Sequence, residues 1–347
     1  MQEAEIYKIG NPWQKKIYRH MSAYLETKKV IRFGETSKGN YYKHWLCAED
    51  SELNFITPAI HAATKERFVR HKAGDLNRVL TNTAASQSYC FNLIIYLQQN
   101  PSLADRLFSS LLEKNVQVRH LEPEFTPNKC DSIKGFERVG DESIGDQSGN
   151  QGTDSDIAVF YTYDEGKKGL LLIEFKFIEA EFSTCSSYRS KENITQVCNS
   201  FSFYPDLIEQ KEKADGRHLC GYNKYFNWDL TKTSKVLDIQ NIKTSAAFPF
   251  RFGLNQLWRN ILLAEKVAAV RNCDEFGFWV FSPKENDEYL WRKTETEKQF
   301  CKILTERGNK HFKKVYLETI LDELEKIITL EEDQRWIMGM ILKYRVA

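Results

Sequence analysis

The chain has 347 residues, 41% hydrophobic and 28% charged, with a formal net charge of +1. This is the composition of an ordinary folded protein, long enough for one large domain or two smaller ones. The near-neutral total excludes a globally basic nucleic-acid coat or membrane-surface polycation, while leaving room for local phosphate-binding patches.

Residues 1 to about 84 read as helical and charged, with Trp13, Ile17, Met21 and Leu25 forming a four-residue ladder on one helix face. SQSYCFNLIIYLQQN (86–100) reads as a strongly apolar helix, and PSLADRLFSSLLEKN opens a further one with Pro101 and Ser102. The period then changes. In VQVRHLEPEF (116–125), Val116, Val118 and His120 alternate with Gln117, Arg119 and Leu121, which predicts a strand. VGDESIGDQSGNQGTDS (139–155) is a Gly/Ser/Asp-rich loop able to order over a substrate, and it lacks the GxxxxGK[ST] pattern of a phosphate-binding P-loop. DIAVFYTYD (156–164), the turn DEGKKG and the strand GLLLIEFKF predict an antiparallel hairpin. Residues 184–250 are irregular and aromatic. FRFGLNQLWRNILLAEKVAAVRN (250–272) is an amphipathic helix, FGFWVFSP (276–283) a strand covered on both faces, and the last 60 or so residues mostly helical. The order helix, three strands, insertion, helix, strand predicts a mixed sheet flanked by helices, an α/β (α+β) fold.

No run of about 18 apolar residues occurs, and MQEAEIYKIGNPWQKK lacks the apolar centre of a secretory signal. A cytoplasmic protein without membrane contact is expected. The eight cysteines (Cys47, Cys90, Cys130, Cys185, Cys198, Cys220, Cys273 and Cys301) are scattered without a CxxC pair and read as free, mostly buried thiols. An iron–sulfur set of Cys185, Cys198, Cys220 and one upstream cysteine is the alternative, at gaps wider and less regular than known clusters use.

The strand GLLLIEFKF carries Glu174 and Lys176 at its centre. A buried unpaired charge costs several kcal/mol, so something must compensate them. Alternation puts both on one face, and the hairpin register brings Asp156, at the start of the preceding strand, beside them. Two crowded carboxylates repel unless protonated or bridged by a cation. Hard oxygen ligands suit Mg²⁺, and a metal–water–lysine arrangement suits phosphodiester hydrolysis. Glu-x-Lys alone is weak, since it recurs at Glu26/Lys28, Glu165/Lys167 and Glu209/Lys211. Only the copy at 174–176 lies in an apolar strand with an acid opening the strand before it, and a solvent-edge salt bridge is the plain alternative.

At these residues the chain resembles the PD-(D/E)xK, or restriction-endonuclease-like, nuclease superfamily. It is most similar there to a prokaryotic group of predicted restriction endonucleases. The carrying blocks are SQSYCFN (86–92), LEPEFTP (121–127), TDSDIAV (153–159), IEFKFIEAEF (173–182), FGLNQLWRNILLAEKVA (252–268) and WVFSPKEN (279–286). The resemblance implies a core over 85–290 in αβββαβ order with the insertion 184–250, a helical region 1–84 before it and another, 291–347, after it. It implies a Mg²⁺-dependent endonuclease on DNA, with Mn²⁺ as a substitute and a restriction or phage-defence role. Asp156 and Glu174 would bind the metal and Lys176 would serve the water. Ser155 stands where the superfamily's name has Pro, and Asp154 is a rival for Asp156. Glu124 resembles an accessory acid, with a surface residue as its alternative. Gln256 and Arg259, three apart on a helix, would reach phosphate or water, or else tie the helix to the sheet. Glu179 is expected to be structural.

RNA or branched DNA is the alternative substrate, and a non-catalytic nucleic-acid-binding protein the alternative class. A homodimer would supply two sites for two strands. In the insertion, Tyr188, Tyr222, Tyr225, Phe226 and Trp228 interleave with Arg189, Lys191, Arg217, Lys224 and Lys232. That mixture suits base stacking and phosphate contact, or a small satellite core under a long loop.

Overall fold

The computed structural model describes residues 4–36, 38–71, 75–128, 130, 132–140, 144, 153–185, 224–243, 250 and 253–346. Most of the 139–155 loop and of the 184–250 insertion lies outside the described residues. So do Cys198 and Cys220, and with them the iron–sulfur set, as well as Tyr188, Arg189, Lys191, Arg217 and Tyr222.

In chain order the elements are α1 (Pro12–Thr27), β1 (Phe33–Glu35), β2 (Tyr41–Leu46), α2 (Pro58–His71), α3 (Leu76–Thr81), α4 (Ser86–Gln99) and α5 (Pro101–Leu112). The strands β3 (Val116–Phe125), β4 (Ser155–Tyr163) and β5 (Lys167–Phe175) follow, then α6 (Lys224–Thr233), α7 (Ile239–Lys243), α8 (Leu254–Val270) and β6 (Glu275–Ser282). The chain closes with α9 (Thr296–Ile303), α10 (Glu306–His311), β7 (Phe312–Tyr316), α11 (Leu317–Ile327) and α12 (Glu331–Tyr344).

One five-stranded sheet, ordered β3-β4-β5-β6-β7, organises the molecule. The β3–β4 and β4–β5 pairs are antiparallel, as the hairpin pattern predicts. The β5–β6 and β6–β7 pairs are parallel. A parallel pair needs a long crossover, and the insertion with α8 provides it. Alternation sorts the strand residues between two cores. On one face Leu121, Ile157, Val159, Leu171, Ile173 and Phe281 pack under α1, α4, α5, α11 and α12. On the other, Ala158, Phe160, Leu170, Leu172, Phe278 and Val280 pack under α8, whose Leu257, Ile261 and Ala264 are fully buried.

The ends of these elements follow from local chemistry. Asn11 and Gln14 form a reciprocal capping box at the start of α1, with Pro12 at its first position. The ladder Trp13, Ile17, Met21, Leu25 is buried throughout. The N-terminal region also contains a short antiparallel ribbon, β1–β2, where the aromatic run YYKHWL overrides the helical reading. The C-terminal region likewise holds β7, a fifth strand whose five residues carry too little alternation to stand out between helical patterns. Trp228 is fully buried against Phe250 and Trp258, with ring centroids 5.9 and 4.9 Å away. It therefore belongs to the core and is not available to stack on a base.

Candidate active site

The β4–β5 register pairs Ile157 with Ile173, which sets Asp156 against Glu174 one step further. The Phe175 N–H donates to Asp156 Oδ2 at 2.6 Å. Past the end of β5, the Lys176 N–H donates to the Phe281 carbonyl at 2.8 Å, so the chain stays registered on β6. Lys176 Nζ lies 2.8 Å from Glu174 Oε1. Glu174 is 2% exposed and Lys176 7%, so the pair is internal and the solvent-edge alternative does not hold.

Helix α8 completes the setting of Glu174. Gln256 Nε2 donates to Oε1 and Asn260 Nδ2 to Oε2, both at 2.7 Å. Gln256 Oε1 also accepts from the Ser183 N–H at 3.0 Å, so this residue ties helix α8 both to β5, through Glu174, and to the segment that follows it. Arg259 reaches elsewhere: its Nε and Nη2 donate to Thr153 Oγ1 at 3.3 and 3.1 Å. It therefore secures the segment that leads through Asp154 into Asp156.

Glu124 is buried, not a surface residue. It adopts φ of 51°, the left-handed region that costs a non-glycine residue about 1–2 kcal/mol. Arg67 of α2 holds it there, Nη2 donating to the carbonyls of Pro123 and Glu124 at 2.9 and 2.8 Å. Gln87 Nε2 donates to Glu124 Oε1 at 2.8 Å. From the same turn of α4, Cys90 Sγ sits 3.7 Å from the Asp156 carbonyl. Ser86 Oγ donates to Glu179, which also accepts from the Phe177 N–H at 3.2 Å, so Glu179 fixes the chain beyond Lys176. Trp13 Nε1 donates to the Phe177 carbonyl at 2.8 Å and pins the same stretch from α1.

The electrostatics bind the acids into one cluster. Burial first, then the charges of Glu174 and Glu124, push the Asp156 carboxyl well above its ordinary range against the pull of Lys176 and the Phe175 N–H. Burial and the Asp154 charge raise Glu124 to about 7, opposed by Gln87 and Arg67. The Cys90 thiol is raised by burial and by the charges of Asp156, Glu124 and Glu174. Burial alone would depress Lys176, but Glu174, Glu179 and Asp156 outweigh it and hold its pKa above the usual lysine value. The contact with Glu174 at 2.8 Å thus favours the charged form of Lys176, a donor of hydrogen bonds and charge.

These donors suit a hard divalent cation. Three carboxyl groups share one ammonium, and Asp156 and Glu124 resist ionisation there, a penalty that a bound cation would remove. Asp156 is half-buried, with Oδ2 committed to backbone and Oδ1 accepting no hydrogen bond among the described residues. Glu174 Oε1 takes two donors, whereas Oε2 takes one and keeps a lone pair.

The structure thus brings Asp156, Glu174, Lys176, Glu124 and Gln256 together and sends Arg259 to the site's edge. Sequence reading passed over Asn260, though it lies four residues after Gln256 on the same helical face. It also passed over Gln87 and Arg67. Gln87 lies within the SQSYCFN block, and nothing in sequence links Arg67 to Glu124.

A three-stranded antiparallel start, a crossover helix and parallel strands, with an acidic cluster and a lysine where β4 begins and β5 ends, define a restriction-endonuclease-like α+β fold. The chain belongs to the family described as restriction endonuclease associating with ARP, whose model matches residues 18–345. It is accordingly a restriction-endonuclease-like nuclease. No curated protein and no solved structure matches the chain significantly.

Proposed function

We propose that this protein is a Mg²⁺-dependent endonuclease that hydrolyses DNA phosphodiester bonds, with Asp156 and Glu174 as the cation's ligands and Lys176 beside the attacking water. The observation that carries this reading is the buried Glu174–Lys176 pair at 2.8 Å, set against the raised Asp156 carboxyl. A buried cluster whose acids resist ionisation is a poor stabilising device and a good cation trap. When bound, Mg²⁺ supplies Lewis acidity to the phosphate oxygens and lowers the pKa of its water.

The chain's own residues supply the rest. Gln256 and Asn260 lock the Glu174 carboxylate, which keeps its remaining lone pair aimed at one place. The Lys176 ammonium offsets the charge that builds on the phosphate as water attacks in line. Glu124, which burial and the Asp154 charge raise to about 7, would serve as the accessory acid that relays a proton away from the water. The products expected of the superfamily are 5′-phosphate and 3′-hydroxyl ends. A role in restriction accords with the family's description, and phage defence is the purpose such an enzyme would serve.

The test is cleavage of a supercoiled plasmid with Mg²⁺ or Mn²⁺ and with EDTA. Nicked and linear products with either metal and none with EDTA are expected. A folded, metal-binding protein that leaves unmodified, methylated and single-stranded DNA intact would move the substrate to RNA or the role to binding. Cleavage in EDTA would contradict the metal.

A further inference from the structure

A second set of metal-ligating side chains lies away from the acidic cluster. His120 and Glu122 are two apart on β3, just past the bulge between Val118 and His120, so they project on the same side. Cys130 approaches them from the segment after the strand. One ligand atom from each of His120, Glu122 and Cys130 lies within 4.8 Å of the others. His120 Nε2 and Glu122 Oε2 are already 3.3 Å apart. In a tetrahedral zinc site with bonds of about 2.0–2.3 Å, neighbouring ligand atoms sit roughly 3.3–3.8 Å apart. One edge of that tetrahedron is therefore built, and small side-chain rotations close the other two.

The surroundings are organised for this arrangement. Arg67 Nε lies 2.6 Å from Glu122 Oε1, both side chains being buried, which orients the carboxylate with Oε2 toward His120. Arg271, fully buried, donates through Nη2 to the Cys130 carbonyl and through Nη1 to that of Phe136 at 2.6 Å, fixing the backbone that carries the thiol. Asn128 accepts from the Ile144 N–H at 3.1 Å and donates to its carbonyl at 2.8 Å, closing the same segment. His120 Nε2 is sealed from solvent and makes no hydrogen bond of good geometry. Cys130 lies outside any disulfide and is half-buried.

We propose that His120, Glu122 and Cys130 form a site for one zinc-class cation, distinct from the Mg²⁺ cluster, with water as the fourth ligand. An imidazole, a carboxylate and a thiolate together select a borderline-soft metal over Mg²⁺ or Ca²⁺. The two anionic ligands balance its charge. The metal ties the chain after β3 back to the strand two residues before Glu124, so it braces the left-handed turn that presents that acid.

Cobalt is the probe, because tetrahedral Co²⁺ with a thiolate ligand absorbs in the visible and shows a sulfur-to-metal charge-transfer band. The full-length protein, stripped with a chelator, should develop both with one equivalent of Co²⁺ and lose both on adding one equivalent of Zn²⁺. Cys130→Ser should abolish the charge-transfer band and weaken zinc binding by at least about tenfold. His120→Asn should weaken it similarly, while Asp156→Asn should leave the cobalt spectrum unchanged. The same spectrum in folded Cys130→Ser, or no tetrahedral spectrum in the wild type, would overturn the site. Should the variants fail to fold, X-ray absorption of the zinc-loaded wild type decides: one sulfur with nitrogen and oxygen ligands supports the site, and any other sulfur count contradicts it.

Discussion

Asp156→Asn should lower divalent-cation-dependent cleavage by at least about a hundredfold and, in the same protein, raise the thermal midpoint of the metal-free form. The Asn oxygen still accepts the Phe175 N–H that Asp156 Oδ2 accepts at 2.6 Å, so the backbone tie survives. What disappears is a carboxylate that burial, Glu174 and Glu124 hold well above its ordinary pKa. A raised folded-state pKa means that the native protein keeps a proton the unfolded chain has lost. The wild type therefore loses stability as pH rises from the unfolded value of about 3.9 through the folded one. Asn has no such loss, so its advantage should be small near pH 4 and grow to a plateau above the folded pKa. Relief of about 1 kcal/mol moves the midpoint by roughly 2 °C in a chain of this size. Cleavage assays and thermal melts across pH with EDTA check both arms. A lowered midpoint, or activity within tenfold of wild type, would contradict the electrostatic account of the site.

Lys176→Met should abolish cleavage and act oppositely on stability. The methionine matches the aliphatic stem but leaves Glu174 buried without its ammonium at 2.8 Å. Breaking a buried pair by removing one partner costs about 3–5 kcal/mol, and the lower end is expected because Gln256 and Asn260 still donate to Glu174. The Lys176 pKa is raised in the folded state, so its contribution is complete below the unfolded lysine value and is lost only at strongly alkaline pH. At neutral pH the full cost should therefore appear. Protonation of Asp156 or Glu124 relieves part of it in acid, so the deficit against wild type should be larger near pH 8 than near pH 5. Added Mg²⁺ should restore part of the midpoint without restoring activity. Denaturant melts with and without Mg²⁺ read this directly, and an unchanged midpoint would mean that the pair is not the stabilising contact its burial implies.

How much of this could be read from the amino acids differs by element. The strands β3, β4, β5 and β6 were visible because alternation or continuous apolar runs mark half-buried and fully buried strands. β7 was not, because FKKVY is five residues long, two of them lysines, between helices. Its place on the sheet is fixed by parallel pairing with β6, which sequence does not encode locally. Asp156, Glu174 and Lys176 stood out as charges in apolar strands. Glu124 did not stand out as a buried group, since its burial depends on Arg67 from α2 and Gln87 from α4, 57 and 37 residues away. Asn260 was within reach of the helical period that singled out Gln256. Trp228 was misleading: aromatic residues amid lysines and arginines look alike whether they stack on bases or fill a core, and only its packing on Trp258 and Phe250 separates the two.

Anomalous diffraction from crystals of the wild-type protein soaked in Mn²⁺ would locate the cation itself. A peak is expected at Asp156 and Glu174, on the side of their uncommitted oxygens, with the Lys176 ammonium nearby, and none is expected in Asp156→Asn crystals. A manganese ion bound elsewhere while the protein cleaves DNA, or a peak that persists in Asp156→Asn, would contradict this site.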